Sequence, residues 1–90
     1  SYIPAEQFCG EPQIQSDIYS LGCTMFYLLT GEDPEPMEPS NPRSVNGDLS
    51  EKIGAIIYKA TQIDLLHRYS TTLHMKADLY ECAKLYEIRP

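Results

Sequence analysis

The segment between Ser16 and Thr30 limits the folds that are open to this chain. It begins with two good helix N-caps, Ser16 and Asp17, and Gly31 follows it as a stop signal. Its apolar residues surround the predicted helix instead of forming one stripe, which is typical of a helix that is buried on every side or lies in a membrane. These residues are Ile18, Tyr19, Leu21, Cys23, Met25, Phe26, Tyr27, Leu28 and Leu29.

This apolar run is shorter than the ~20 residues that cross a bilayer, so we expect a central helix of a globular fold. The whole chain has 90 residues, which allows one domain with a marginal core, because short chains bury a smaller share of their surface. A chain of this size does not provide enough other structure to cover such a helix on all sides. We therefore expect part of the helix surface to lack its cover.

Two further amphipathic helices are predicted, and no period-2 segment is long enough for a convincing strand, so the predicted fold class is all-α. The second helix is expected to begin near Asp48, which has capping-box spacing to Glu51, with Ser50 as a competing cap. The third is expected to begin between Ser70 and Thr72. Their apolar stripes are Leu49, Ile53, Ile56, Ile57 and Ala60, and then Met75, Leu79, Cys82, Ala83 and Tyr86. The side chains expected to face outward from the third helix are Lys76, Asp78, Glu81 and Lys84.

Proline and glycine divide the rest of the chain. A short helical turn is predicted over residues 5–8, because Pro4 suits a first helical position. Residues 31–47 are predicted to form an acidic loop, since the prolines at positions 34, 36, 39 and 42 exclude helix and central strand. We interpret this loop as a solvated connector, and a partner-docking surface is the alternative.

Charge and cysteine content exclude several functions. Thirteen acidic and seven basic residues give a formal net charge of −6, which argues against nucleic acid or an anionic membrane as a partner. Cys9, Cys23 and Cys82 form neither a disulfide framework nor a zinc-ligand pattern, so we expect reduced, mostly buried thiols in a cytoplasmic protein. No signal peptide is expected, since no charged segment precedes an apolar stretch. Neither a metal-ligand set nor a paired nucleophile and base is recognised.

Four segments carry motifs that occur together in one known family: residues 2–7 (YIPAEQ), residues 16–31, residues 64–69 (DLLHRY) and residues 75–79. In this order they resemble the large lobe of a serine/threonine protein kinase domain. Residues 2–7, YIPAEQ, resemble the end of the activation segment, with proline and alanine in inverted order. Residues 16–31, which start SDIYSLGC and end in Thr-Gly, resemble the central helix of that lobe. Residues 64–69, DLLHRY, resemble the family's late D-x-x-x-R-[YF] motif, and residues 75–79 resemble its last helix.

The resemblance implies that residues 1–86 form a partial kinase domain, from the end of the activation segment to the last helix of the large lobe. Residues 87–90 would then be a tail. The segment between Gly31 and Asp48 is short, so the family's helix in that region is expected to be missing or reduced.

The resemblance also implies roles for single residues. Glu6 and Arg68 would form a buried ion pair that ties the activation segment to the lobe, since arginine can meet a carboxylate in a bidentate way. Asp17 would accept backbone hydrogen bonds from the catalytic loop, in addition to capping its helix. Thr24 and Leu28 would lie beneath the adenine site, although we interpret them more simply as core residues. The substrate-positioning segment would end in Ser1, Tyr2 and Ile3.

The implied activity is transfer of phosphate from Mg-ATP to a protein hydroxyl. The Gly-rich loop, the lysine–glutamate pair, the catalytic loop and the D-F-G motif of the family are not found in these 90 residues. We therefore expect ATP, Mg²⁺ and a protein substrate to bind the intact parent, together with the N-terminal part of the kinase domain, and the chain alone to be inactive. The alternative is a pseudokinase-derived or stand-alone helical interaction module without catalysis.

Overall fold

The computed structural model describes the backbone of residues 14–87 and the side chains of residues 14–84. Within this range there are three α-helices, one short 3₁₀ turn and no strand. The elements are α1 (Ile14–Thr30), the 3₁₀ turn (Pro42–Ser44), α2 (Glu51–Ala60) and α3 (Thr72–Glu87). The all-α prediction with three main helices is confirmed. The helical turn predicted over residues 5–8 lies outside the described residues.

Helix α1 begins two residues before its predicted caps. Ser16 lies inside the first turn and is buried, and Asp17 follows it with an exposed side chain. The N-cap predictions for both residues are therefore wrong, although the Asp17 charge still suits the positive end of the helix dipole. At the other end Gly31 has a φ of 73° and donates its N–H to the Tyr27 carbonyl at 2.7 Å. This left-handed C-terminal residue confirms the predicted stop signal.

Helix α2 begins after Ser50, the alternative N-cap residue in the sequence. The Ser50 hydroxyl accepts the Ile53 N–H at 3.1 Å, so Ser50 is the N-cap and the prediction of Asp48 is wrong. Asp48 belongs to the preceding turn, where its N–H donates to the Asn46 side chain at 3.0 Å. The predicted apolar stripe is confirmed in its C-terminal part, where Ile56, Ile57 and Ala60 are fully buried. Ile53 is half-buried, and Leu49 precedes the helix.

Helices α1 and α3 both pack mainly against α2. The closest approach of α1 to α2 is at Gly22, where an added Cβ would lie 2.9 Å from both Ala60 Cβ and Thr61 Cγ2. Cys23 and Cys82 are buried free thiols, as the sequence predicts. The main hydrophobic cluster consists of Ile18, Ile56, Ala60, Tyr69, Met75 and Cys82.

The connection between α1 and α2 contains no α-helix and only the 3₁₀ turn, as expected if the family's helix in this region is missing or reduced. The connection is nevertheless attached to the fold at its middle. The Ser40 N–H donates to the Thr61 hydroxyl at 2.8 Å, and that hydroxyl donates to the Ile57 carbonyl at 2.8 Å. Farther along, the Arg43 Nε donates to the Leu49 carbonyl at 3.0 Å. The proline-rich segment is therefore an ordered connector where it meets the end of α2.

Four side chains contradict the predicted burial pattern. Thr24 and Leu28 were expected in the core, but both are exposed, with Leu28 at 74%. The reason is that α2 and α3 cover only one side of α1. Ala83 is also exposed, so the buried stripe of α3 is narrower than predicted. Asp78 was expected to face outward, but it is partly buried, because it accepts a hydrogen bond from Tyr69.

Candidate functional site

Arg68 is the most deeply buried charged group of the described side chains, with 3% of its surface exposed. Its Nε donates to the Gln62 carbonyl at 2.8 Å, and its Nη1 donates to the Gln15 carbonyl at 3.0 Å. A longer bond of 3.4 Å joins Nη2 to the Ile63 carbonyl. The guanidinium also lies 5.0 Å from the centre of the Tyr19 ring, which is a favourable cation–π distance. Arg68 therefore links the start of α1 to the segment between α2 and α3.

The spacing between Asp64 and Arg68 has a local structural cause. The Asp64 side chain accepts the Leu66 N–H at 2.9 Å, which is a side-chain-stabilised turn of the kind that aspartate favours. The Asp64 carbonyl then accepts the N–H groups of His67 and Arg68 at 3.0 and 3.2 Å. His67 Nδ1 lies 3.2 Å from the Asp64 carboxylate on the exposed side of this turn. The turn reverses the chain and directs Arg68 inward, so the motif is a folding unit and not a catalytic pair.

Gln15 completes this junction, and the sequence analysis missed it. Its side-chain nitrogen donates to the Leu65 carbonyl at 2.9 Å and to the Tyr69 carbonyl at 3.1 Å. The Gln15 side chain thus bonds to the segment that contains Arg68, and the Arg68 side chain bonds to the Gln15 backbone. No sequence signal reveals this role, because the carbonyl partners lie 50 and 54 positions away from Gln15.

Tyr69 extends the junction to α3. It is 1% exposed, and its hydroxyl donates to the Asp78 carboxylate at 2.7 Å. Burial, followed by this hydrogen bond, raises the pKa of Tyr69 well above its usual range. The same hydrogen bond holds the pKa of Asp78 below its ordinary value. Lys59 lies 4.7 Å above the Tyr69 ring, and the His74 ring meets it edge-on at 5.3 Å. Tyr69 thereby fixes the start of α3 against the end of α2.

The other predicted site residue within the described range lies on a different surface. Asp17 starts an exposed stripe along α1, and Leu21, Thr24 and Leu28 follow at intervals of three and four residues. Leu21 is 46% exposed and Leu28 is 74% exposed. Asp17 is therefore exposed on α1, whereas Arg68 is buried at the junction. Glu6 and the segment of Ser1, Tyr2 and Ile3 lie outside the described residues.

Comparison with known proteins identifies the relatives of this arrangement. The chain is 34% identical over 92 positions to the serine/threonine-protein kinase PknB of Mycolicibacterium smegmatis, and 36% identical over 81 positions to the serine/threonine-protein kinase PknA of Nostoc sp.. These alignments cover 87% and 82% of this chain. A third relative, the serine/threonine-protein kinase B of Synechocystis sp., is 33% identical over 76 positions and matches 78% of the chain.

Over most of its own length the chain is therefore similar to serine/threonine-protein kinases. It spans about 15% of the length of the PknB protein, 14% of PknA and 13% of the Synechocystis kinase, and it corresponds to a C-terminal part of the kinase domain. No family model matches it. The alignment with PknB has 92 positions yet takes in 87% of a 90-residue chain. The alignment therefore contains gaps in this chain.

No helix within residues 14–87 is both long enough and apolar enough to cross a membrane. Helix α1 is the most apolar of the three, and it has 17 residues.

Proposed function

We propose that this chain forms part of the large lobe of a protein kinase domain whose parent transfers phosphate from Mg-ATP to serine and threonine hydroxyls of proteins. Its own contribution is structural: it supplies the helix beneath the catalytic loop and the junction at Arg68. The names of the relatives, which are serine/threonine-protein kinases, support the reaction class. The proposed domain occupies residues 1–86.

The exposed stripe of α1 is the observation that carries this proposal. Asp17 begins the stripe, and the family resemblance assigns to Asp17 the backbone N–H groups of the catalytic loop. Thr24 and Leu28 continue it, at the positions that the resemblance places beneath the adenine site. A helix with a polar start and an exposed apolar continuation fits a surface that is covered by another part of the same domain.

We propose in addition that the Glu6 carboxylate pairs with Arg68. The guanidinium is buried, and the carbonyls of Gln62 and Gln15 accept from its Nε and Nη1 atoms. A buried guanidinium strongly favours a carboxylate partner, because the charge is otherwise poorly compensated away from water. This pairing would join the end of the activation segment, with Ser1, Tyr2 and Ile3, to the junction at the base of α3.

ATP and Mg²⁺ are proposed to bind parts of the parent other than this chain. The described residues do not fit a metal-nucleotide site, since residues 14–84 contain no group of three or more His, Cys, Asp or Glu side chains that could hold a metal ion. The acidic net charge of −6 also disfavours binding of a polyphosphate. The protein substrate of the parent and the N-terminal part of the kinase domain are the proposed partners of this chain.

The 90-residue chain is expected to show no affinity for Mg-ATP, because its sequence lacks the family's phosphate- and metal-binding motifs. Isothermal titration of the chain with Mg-ATP tests this directly, with a kinase domain that contains all of these motifs as the positive control. Saturable heat at micromolar nucleotide would contradict the proposal that ATP and Mg²⁺ bind other parts of the parent.

The exposed stripe predicts that the chain alone binds hydrophobic dyes, self-associates and melts broadly. Leu28→Gln should reduce dye binding and self-association without loss of helical signal. Leu73→Gln is the matched control, because Leu73 is equally exposed, at 74%, but lies on α3 outside the stripe. Fluorescence with an apolar dye and sedimentation at several concentrations provide the measurement.

The stand-alone interaction module makes the opposite prediction. A sharp, concentration-independent melt of a monomer that does not bind dye would favour it, because the stripe would then be stable in water. Equal effects of Leu28→Gln and Leu73→Gln would show that the stripe has no special role.

A further inference from the structure

A cleft of about 380 Å³ lies where the start of α1, the end of α2 and the start of α3 meet. This volume lies within the range of about 300–1,000 Å³ that is typical of small-ligand sites. Among the residues that the structure describes, every polar side chain in its lining can donate a hydrogen bond, and none carries a carboxylate. These polar residues are Gln15, Lys59, Arg68, Ser70 and His74.

Two of these side chains form the floor of the cleft and are committed to the fold. Gln15 donates to the carbonyls of Leu65 and Tyr69, and Arg68 donates to the carbonyls of Gln62 and Gln15. Because these bonds fix the floor, the cleft keeps its shape without a ligand. A preformed site of this kind avoids part of the entropic cost of binding.

The rim provides the groups that can reach a ligand. Lys59 and His74 both contact the buried Tyr69 ring, at 4.7 Å and 5.3 Å from its centre. Within the described range neither side chain lies at ion-pair distance from a carboxylate. The Asp78 carboxylate, which accepts from the Tyr69 hydroxyl, attracts both of them from farther away. Ser70 is exposed between the floor and the start of α3. Two nitrogen-bearing side chains and a hydroxyl thus converge on the opening, in a chain that is acidic overall.

An apolar wall completes the cleft. Leu65 and Leu66 line one side of it, and Leu66 is 90% exposed. The turn at Asp64 holds Leu66 in this position, because the Asp64 side chain accepts the Leu66 N–H. A ligand that has a negative group and a neighbouring apolar group would therefore satisfy both sides of the cleft.

We propose that this cleft binds an anionic side chain of an extended peptide, either phosphoserine or glutamate, with the next apolar residue of the peptide packed on Leu65 and Leu66. Lys59, His74 and Ser70 would donate to the anionic oxygens. Phosphoserine carries more charge and more acceptor oxygens than glutamate, so it should bind more tightly. The proposal concerns side chains that do not belong to the exposed stripe of α1, and it does not depend on phosphoryl transfer by the parent.

Three matched peptides test the proposal on the 90-residue chain. They share the sequence Ala-X-Leu-Ala, with phosphoserine, glutamate or serine at X, and carry a fluorophore for anisotropy. Saturable binding of the phosphoserine or glutamate peptide at up to about 1 mM, without binding of the serine peptide, is expected. Inorganic phosphate should compete. Equal binding of all three peptides, or no saturable binding of either anionic peptide, would overturn the proposal.

Variants of the rim locate the binding. Lys59→Ala and His74→Ala should each weaken binding roughly fivefold to tenfold, as expected for the loss of one hydrogen bond to a charged group. Ser70→Glu should abolish it, because a carboxylate at the opening repels the anion. Lys76→Ala is the control, since Lys76 is exposed on α3 and does not line the cleft. Circular dichroism verifies that each variant keeps its helices. Equal losses in Lys76→Ala and Lys59→Ala would place the anion elsewhere and refute the site.

Discussion

Replacement of Arg68 by alanine is expected to lower the urea midpoint of unfolding far more than replacement of Arg43. Arg68 is 3% exposed and donates to the carbonyls of Gln15 and Gln62, at the start of α1 and just after α2. Its removal deletes charge-assisted hydrogen bonds and leaves buried carbonyls unpaired, so we expect a loss of roughly 3–5 kcal/mol.

Arg43 is the appropriate control because it is also an arginine that bonds a backbone carbonyl. Its Nε donates to Leu49 at 3.0 Å, but its side chain is 37% exposed and its pairing with Glu51 is long, at 3.8 Å. We expect Arg43→Ala to cost about 1 kcal/mol, since exposed pairs contribute little. Arg68→Lys should remain strongly destabilised, because one ammonium cannot reproduce the forked geometry of the guanidinium. Equal midpoints for Arg68→Ala and Arg43→Ala would contradict the assigned role of Arg68.

The second large effect is expected at Gly22, where α1 crosses α2. Alanine there places a Cβ 2.9 Å from Ala60 Cβ and Thr61 Cγ2. The Ala60 Cβ is attached directly to the backbone and cannot rotate away, so the two helices must separate. Overpacking of this kind costs typically ~1–3 kcal/mol, which outweighs the gain of about 1 kcal/mol in helix propensity.

Gly54→Ala is the matched control within α2. Gly54 is also a buried glycine inside a helix, and an added Cβ would meet only side-chain atoms, with Arg43 Cδ at 3.0 Å and Asn41 Oδ1 at 3.1 Å. Because neither atom is backbone, these side chains need to shift by only a few tenths of an ångström, so the propensity gain should offset most of the contact cost. Thermal melts followed by circular dichroism should therefore show a clear loss for Gly22→Ala and little change for Gly54→Ala. The reverse order would show that the α1–α2 crossing does not limit stability.

The sequence predicts the helices of this fold well because their signals are local. Gly31 ends α1 through its own backbone conformation, and Ser50 caps α2 through a bond to Ile53, three residues away. The predicted start of α1 was wrong for a tertiary reason. Ser16 is a good cap residue by type, but it is buried and lies within the first turn of the helix.

The junction around Arg68 could be predicted only in part. The D-x-x-x-R spacing identifies Arg68, because the Asp64 turn that directs it inward is encoded within five residues. The partners could not be predicted, since Gln15 lies 53 positions away and Asp78 meets Tyr69 from another helix. Contacts of this range depend on packing and leave no periodic signal in the sequence.

The exposed face of α1 gives a second example of what the sequence alone cannot predict. Its all-round apolar pattern predicts a helix with cover on every side. Leu28 was nevertheless assigned to the core, whereas it is 74% exposed. A hydrophobic pattern reveals that a residue is suited to burial, but not whether the covering element belongs to the same 90 residues.

The most direct test of the central proposal is the distance between the Glu6 carboxylate and the Arg68 guanidinium in a crystal structure of the complete protein. The two residues are 62 positions apart in the sequence, so only the large-lobe arrangement of a protein kinase gives a reason for their contact. We expect a separation within about 4 Å, in a pair sheltered from water. Well-ordered Glu6 and Arg68 side chains that lie far apart would contradict the proposed arrangement.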